Sequence, residues 1–115
     1  MLSAVIMVNS RRKGAEGERE LSNILKSRGF QTRRGQQFCG ANGDADVVGM
    51  PGIHIECKRV EQLNIHKAME QARNDAKEDE IPAVFHRKNG TKWLVTISLE
   101  DFIRLYRKSG LEELV

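Results

Sequence analysis

Aromatic side chains and cysteines are scarce in this chain, and each scarcity excludes a class of function. The 115 residues include only four Phe, one Trp and one Tyr, too few for the aromatic platform on which single-stranded nucleic acids stack. The two cysteines, Cys39 and Cys57, cannot form a disulfide framework, and their spacing does not match a zinc site. We therefore expect a protein of the reducing cytoplasm.

Long hydrophobic runs are also missing. No apolar segment approaches the roughly 20 residues of a membrane span. The opening MLSAVIMV is too short for a secretory signal and has no basic residue ahead of it. No membrane partner is expected. The length predicts a single domain over residues 1–115, in which residues 1–10 form either a flexible extension or part of an interface.

The positive charge is concentrated at one end of the chain. Residues 1–38 contain eight Lys or Arg against three Glu, whereas residues 39–115 contain eleven against thirteen acidic residues. A basic surface is typical of proteins that bind a polyanion, although charged runs are more often simply solvated. Because aromatics are so few, contacts to the backbone of double-stranded DNA are favoured over base stacking. The candidate phosphate contacts are Arg11, Arg12, Lys13, Arg33 and Arg34.

The segment GDADVVGMPGIHIECK, residues 43–58, predicts two short strands joined by a tight turn. The strands are expected over residues 46–50 and 53–59. Side chains alternate between the two faces of a strand, so one face of the second strand is apolar and belongs to a core. The polar residues on its other face are His54, Glu56 and Lys58.

Asp46, Glu56 and Lys58 form the pattern D-x9-E-x-K. Two converging carboxylates repel each other unless a cation lies between them, and oxygen ligands favour Mg²⁺, for which Mn²⁺ is expected to substitute. A lysine beside the metal can orient a water and offset charge that develops on phosphorus. The alternative is a cross-strand salt bridge on a solvated sheet face. The aspartate on the preceding strand and the intervening turn favour a site.

This pattern resembles the core of the PD-(D/E)xK nuclease superfamily. Asp46 and Glu56-Cys57-Lys58 occupy the motif positions, and Ala45 replaces the proline, which carries no chemistry. The resemblance implies a Mg²⁺-dependent nuclease with a restriction-endonuclease-like fold. It also implies that Asp46 and Glu56 hold the metal together with the main-chain carbonyl of Cys57, and that Lys58 positions the attacking water.

The first helix is predicted over residues 14–28, with Gly29 as a left-handed cap at its end. Gly14 and Gly17 are expected on its packed face, where they let the helix approach the sheet closely. At about 100° per residue, Glu18 is the acidic residue of this helix that points most nearly inward. The alternative is a glutamate at the edge of the packed face that reaches water.

The segment KGAEGEREL, residues 13–21, is similar to the K-G-x-x-x-E-R-x-hydrophobic opening of archaeal-type Holliday-junction resolvases. In that family the glutamate before the arginine joins the metal site, and this position is Glu18 here. Helical geometry and the resemblance therefore select the same residue rather than Glu16 or Glu20.

Residues 35–43, GQQFCGANG, predict a mobile polar loop. The resolvases place a serine-bearing loop here, but this segment contains no serine, so that role is not carried over. Gln37, with its neighbours Gln36 and Phe38, is a candidate DNA contact. An ordinary flexible connector is an equal alternative.

The second half of the chain predicts a helix over residues 65–77, a hairpin over residues 83–97 and a last helix that ends at Lys108. Asn64 and Ser98 are the predicted helix caps. Gln71 is a candidate catalytic residue, because superfamily nucleases often carry a glutamine on this helix; a half-buried helix glutamine is the commoner explanation. The last helix is expected to pack through Leu99, Phe102, Ile103 and Tyr106.

The predicted element order, α-β-β-β-α-β-β-α, matches the mixed sheet and flanking helices of the superfamily. The resemblance implies an endodeoxyribonuclease that resolves four-way junctions in DNA recombination as a homodimer, in the host cytoplasm if the gene is a phage gene. Candidate interface surface lies in residues 1–8 and 111–115. The alternatives are a restriction-like, flap or nicking nuclease of the same fold, or a non-catalytic DNA-binding module.

Overall fold

A five-stranded mixed sheet with helices on both faces forms the fold. The computed structural model describes residues 2–36 and 45–114, with side chains for 12–36 and 45–113. The elements are α1 (Leu2–Ser27), β1 (Arg33–Arg34), β2 (Val47–Val48), β3 (Ile53–Arg59), α2 (Ile65–Asp75), β4 (Ile81–Arg87), β5 (Leu94–Thr96), α3 (Leu99–Lys108) and a 3-10 turn (Leu111–Leu114).

The strand order in the sheet is β1-β2-β3-β4-β5; β3 and β4 are parallel, and every other neighbouring pair is antiparallel. The predicted α/β class and element order are confirmed.

Helices cover both faces of the central strand β3. On one face, Leu21 of α1 packs in a buried cluster with Ile55 and Cys57 of β3. On the other face, Ala68, Met69 and Ala72 of α2 pack against Val84 of β4. Two polar side chains on this second face are consequently enclosed, since His54 is 2% and Glu56 3% exposed, whereas Lys58 is half-buried. His54 and Glu56 therefore do not lie on a solvated face, as the salt-bridge alternative requires.

Helix α1 is longer than predicted, because it begins at Leu2 rather than near Gly14. Residues 2–10 are therefore helical, although they were expected to form a flexible or interface extension. Gly29, with a φ of 98°, follows the helix as predicted. Of the two glycines expected to permit close packing, Gly17 does so, since a Cβ there would lie 2.5 Å from the Cβ of Arg59. A Cβ at Gly14 would meet no atom within 4 Å.

The turn between β2 and β3 lies against the connection that joins α1 to β1. β2 is limited to Val47–Val48, shorter than the predicted strand over residues 46–50, because the chain bends at Gly49. Gly49 has a φ of 110°, and a Cβ at this position would lie 2.0 Å from the main-chain oxygen of Gln31. Only glycine is compatible with both the backbone conformation and this approach.

The local signals in the second half are confirmed. Asn64 caps α2 by accepting a hydrogen bond from the Lys67 N–H at 3.1 Å, and Ser98 caps α3 by accepting one from the Asp101 N–H at 3.1 Å. Gly90, with a φ of 75°, lies in the turn between β4 and β5.

The predicted packing of α3 is wrong. None of its ten residues is buried. Leu99 is 70%, Phe102 54% and Tyr106 37% exposed; Ile103 alone of the four predicted packing residues is half-buried. The apolar stripe of α3 exists as the spacing predicts, but it faces away from the core of this chain. Within the described residues, no helix combines the length and apolarity that a membrane span requires.

Candidate active site

A cavity of about 330 Å³ lies where α1, α2, the start of β2 and the end of β3 meet. Val47 of β2 pairs with Ile55 of β3 in an antiparallel register. Asp46, which precedes β2, and Glu56, which follows Ile55 on β3, are therefore neighbours. α1 contributes Lys13 and Glu18 to the lining, and α2 contributes Gln71. The cavity lining includes all five residues predicted to be catalytic: Glu18, Asp46, Glu56, Lys58 and Gln71.

Asp46 is held at the base of this cavity. Its side chain accepts a hydrogen bond at Oδ2 from the main-chain N–H of Cys57, at 2.8 Å, and the residue is only 7% exposed. Burial, followed by the neighbouring charge of Glu56, raises the pKa of Asp46 to about 7; Glu18 adds to the rise, and the Cys57 hydrogen bond opposes it. This carboxylate is therefore costly to ionise without a compensating cation.

Glu56 presents its two oxygens to different neighbours. Oε1 lies 3.4 Å from Nε2 of His54, and Oε2 lies 4.0 Å from Nζ of Lys58. Lys58 in turn donates a hydrogen bond to Oε1 of Gln71, at 3.2 Å. The lysine ammonium is thus held between β3 and α2, and the predicted glutamine touches it. Gln71 is exposed rather than half-buried.

Glu18 lines the cavity but is also paired. Its Oε1 accepts a hydrogen bond from Nε of Arg34, at 3.0 Å, and its side chain is 20% exposed. Arg34 was predicted to contact DNA phosphates, and in this structure its guanidinium lies on a cavity carboxylate instead. Glu18, predicted for the metal site, and Arg34, predicted to contact DNA, therefore form an ion pair with each other.

Cys57 contributes its backbone rather than its thiol. In a strand, the N–H and C=O of one residue point to the same neighbouring strand, so its carbonyl faces the Asp46 side, as does its N–H. Burial raises the pKa of the thiol strongly, which leaves it protonated and unreactive.

The donor set suits a hard divalent cation. Three carboxylates, those of Glu18, Asp46 and Glu56, line one cavity together with the ammonium groups of Lys13 and Lys58 and with Arg59. Carboxylate and carbonyl oxygens are the ligands that Mg²⁺ and Mn²⁺ prefer. The pKa of Asp46 is raised mainly by burial and then by the neighbouring carboxylates of Glu56 and Glu18, so its ionised form would be stabilised by a bound cation. The residues therefore fit a cation of this class.

The sequence matches the profile of the phage putative PDDEXK endonuclease family over residues 9–112. The chain belongs to this family. Membership confirms the predicted PD-(D/E)xK superfamily and supports nuclease activity, for which divalent metals are the general cofactor; junction resolution and a preference for Mg²⁺ remain predictions. No curated protein matches the sequence.

One structural anchor of the chain was not predicted. Glu20 accepts hydrogen bonds at Oε1 from Nε1 of Trp93, at 2.8 Å, and from Nη1 of Arg87. Its Oε2 lies 3.8 Å from Nε of Arg59. Glu20 therefore ties α1 to β4 and to the residue before β5, away from the catalytic cavity. Its partners are distant in the sequence, and no local pattern indicates them.

The basic residues predicted to contact DNA differ in their relation to the cavity. Lys13 lines it directly, lies 3.8 Å from a carboxylate oxygen of Glu61, and also borders a second depression with Arg12. Arg33 is exposed on β1. The side chain of Arg11, the whole of Gln37 and most of the predicted 35–43 loop lie outside the described residues.

A second set of ligand-bearing side chains adjoins Glu56 and was also missed. His54, Glu56 and Asp75 each offer a ligand atom, and these atoms all lie within 4.8 Å of one another. Within the described part of the chain no other group of three such residues meets this distance, so the predicted set of Glu18, Asp46 and Glu56 does not meet it either. The hydrogen bond to Glu56 is the main cause that raises the pKa of His54, against the effect of burial.

Proposed function

We propose that the protein is a Mg²⁺-dependent endodeoxyribonuclease that resolves four-way DNA junctions. The supporting observation is the convergence of Glu18, Asp46, Glu56 and Lys58 on one cavity from three separate elements. Neighbouring carboxylates repel one another unless a cation lies between them, and such groupings are concentrated at functional sites. The similarity of the Lys13-to-Leu21 segment to resolvase openings supports the junction as substrate.

In this proposal Asp46, Glu56 and the carbonyl of Cys57 hold the metal, and Glu18 binds the metal or its water. The bound cation lowers the pKa of a water molecule and neutralises charge on the phosphate. Lys58 orients the attacking water and donates hydrogen bonds toward the scissile phosphate. Gln71 keeps the ammonium in place, since its Oε1 accepts a hydrogen bond from Nζ at 3.2 Å.

The Glu18 carboxylate becomes available to bind a metal when Arg34 no longer pairs with it. The guanidinium and a divalent cation compete for the same carboxylate, while a DNA phosphate competes for the guanidinium. Substrate binding and metal binding would therefore favour each other. Neighbouring phosphates would be contacted by Lys13, which lines the cavity, by Arg12, which borders the second depression, and by Arg33 on β1.

The proposed working unit is a homodimer. A four-way junction requires two cuts in strands of like polarity, and one chain has one candidate site, so two copies are needed. The proposed interface includes the exposed apolar side chains of β5 and α3 in addition to the chain ends. Those with the greatest exposure are Leu94 at 60%, Val95 at 54%, Leu99 at 70% and Phe102 at 54%.

The test is cleavage of labelled four-way junction, flap, duplex and single-stranded DNA, with Mg²⁺ and with EDTA. Preferential Mg²⁺-dependent cutting of the junction is expected, in paired symmetrical positions. A supercoiled plasmid with a cruciform should be converted to the linear form. Conversion to an open circle by a monomer, judged by light scattering, would instead indicate a nicking nuclease of the same fold. Binding without any cleavage would indicate a non-catalytic DNA-binding module.

A further inference from the structure

A cluster of metal-ligating side chains lies beside the proposed catalytic cavity, between β3 and the end of α2. His54 and Glu56 come from β3, and Asp75 is the last residue of α2. Their ligand atoms all lie within 4.8 Å of one another. The first two side chains are buried, whereas Asp75 is exposed, so the cluster is reachable from solvent on one side.

The orientation of His54 is a second observation that points to a cation. Nε2 faces Oε1 of Glu56 at 3.4 Å, while Nδ1 faces Oε1 of Glu80 at 3.8 Å. The main-chain N–H of Lys77 donates to the same Glu80 oxygen at 2.8 Å and fixes that carboxylate. Metal-binding histidines commonly direct their other ring N–H at a carboxylate, which sets the tautomer. Glu80 lies on the Nδ1 side of the ring, at ion-pair rather than hydrogen-bond distance, which leaves Nε2 as the ligand atom that faces Glu56.

The geometry of Glu56 allows this cluster and the catalytic cavity to be filled together. Oε1 faces His54, and Oε2 faces Lys58. A cation held through Oε1 therefore leaves Oε2 for the proposed catalytic metal. A separate cavity of about 340 Å³, lined in part by His54, Asp75 and Glu80, gives an entry path and space for water ligands.

We propose that His54, Glu56 and Asp75 form a second cation site, which binds Mn²⁺, Co²⁺ or Zn²⁺ in preference to Mg²⁺. The preference follows from the donor atoms: imidazole nitrogen suits transition metals, whereas Mg²⁺ favours oxygen ligands alone. The three carboxylates around the single imidazole, those of Glu56, Asp75 and Glu80, supply the charge that retains a dication. The site shares Glu56 with the proposed nuclease centre, but its occupancy does not depend on DNA cleavage.

The test is titration of the full-length, metal-free protein with Co²⁺ in excess Mg²⁺, followed by calorimetry and visible absorption, without DNA. One Co²⁺ is expected to bind to the wild type. Asp75→Asn, a change at an exposed position, should weaken Co²⁺ binding more than about tenfold, a typical cost of disturbing a metal site. Asp79→Asn is the matched control, because Asp79 is exposed on the connection that follows α2 and lies outside the cluster.

Two results would overturn the second site. One is a wild type that binds no Co²⁺ in excess Mg²⁺, and the other is an Asp75→Asn variant with wild-type Co²⁺ affinity. His54→Gln provides an independent check, provided that its circular dichroism shows a folded chain. Absence of DNA cleavage by the wild type would contradict the proposed function and leave this site intact, so the two proposals fail separately.

Discussion

The main-chain N–H of Cys57 donates a 2.8 Å hydrogen bond to Oδ2 of Asp46, and this bond joins the two halves of the D-x9-E-x-K pattern. It fixes a carboxylate that burial and neighbouring acids otherwise disfavour. This arrangement fixes the position of the Asp46 carboxylate but lowers the stability of the folded chain, a compromise that is typical of functional sites.

The first prediction concerns the effect of the Asp46 carboxylate on stability. The pKa of Asp46 is about 7 in the folded chain, against 3.8 for the ordinary carboxyl. The folded state therefore binds the proton more tightly than the unfolded state, and stability falls as pH rises from about 4 to about 7. In EDTA at pH 8, Asp46→Asn should be more stable than the wild type by more than about 1 kcal/mol, and the difference should vanish near pH 4.

Urea unfolding at several pH values measures this difference. Asp79→Asn, at an exposed position, is the control and should show no comparable dependence on pH. A metal-free Asp46→Asn variant that is less stable than the wild type at pH 8 would contradict the argument.

The second prediction concerns Lys58. Lys58→Met retains the length of the side chain and removes the ammonium beside Glu56 and Gln71. Cleavage should fall by about 10²- to 10⁴-fold, the usual contribution of a group that handles the proton of the nucleophile, while DNA affinity changes little. Single-turnover kinetics and equilibrium binding separate the two effects. Lys108→Met, on α3, is the control; cleavage by Lys58→Met within tenfold of the wild type would argue against its role.

The third prediction separates two glutamates of α1. Glu18→Ala should remove cleavage with little loss of stability, because its bond to Arg34 is partly exposed. Glu20→Ala should lower the unfolding free energy by roughly 1–3 kcal/mol, because it leaves the Trp93 and Arg87 donors without their acceptor. Glu16→Ala, at an exposed position, should change neither. Thermal unfolding alongside cleavage assays distinguishes the three, and equal activity losses at Glu18 and Glu20 at a temperature where both are folded would refute the distinction.

The fourth prediction contrasts two glycines on one helix. Gly14→Ala should stabilise the protein by up to about 1 kcal/mol, since a Cβ meets no atom within 4 Å and alanine favours helix. Gly17→Ala should destabilise it by about 1–3 kcal/mol, because the new Cβ would lie 2.5 Å from that of Arg59. Denaturant midpoints measure both. Effects of the same sign would show that α1 does not approach β3 in this way.

The fifth prediction concerns DNA binding and is best measured in an Asp46→Asn background, which prevents cleavage. Arg33→Ala should lower the slope of log affinity against log salt by about 1, as expected for one lost phosphate contact. Arg34→Ala should lower it less, because this guanidinium is partly neutralised by Glu18. Arg104→Ala, on α3, should leave the slope unchanged. An unaltered slope in Arg33→Ala would mean that β1 is only a solvated surface.

The features predicted correctly from the sequence are those with local causes. Gly29 follows α1, and Asn64 and Ser98 cap their helices, because each signal acts within a few residues. Strand β3 was predicted with its observed limits, since alternation and the preceding turn both lie in one segment.

The features that were missed have causes far along the chain. The role of Glu20 depends on Trp93 and Arg87, which tertiary packing alone brings near. The contribution of His54 to the proposed second cation site depends likewise on Asp75 and Glu80, which lie far along the chain. The spacing of apolar residues defined a face of α3 correctly but could not show what that face contacts, so its burial was predicted wrongly.

The two open edges of the sheet have opposite chemical characters. β1 carries Arg33 and Arg34, and charged side chains on an edge strand discourage the addition of further strands. β5 carries the exposed apolar side chains of Leu94 and Val95. Among the described strands, a dimer formed through the sheet would therefore use the β5 edge, which can pair only once. Copies joined in this way would form a closed pair and would not extend into a fibre.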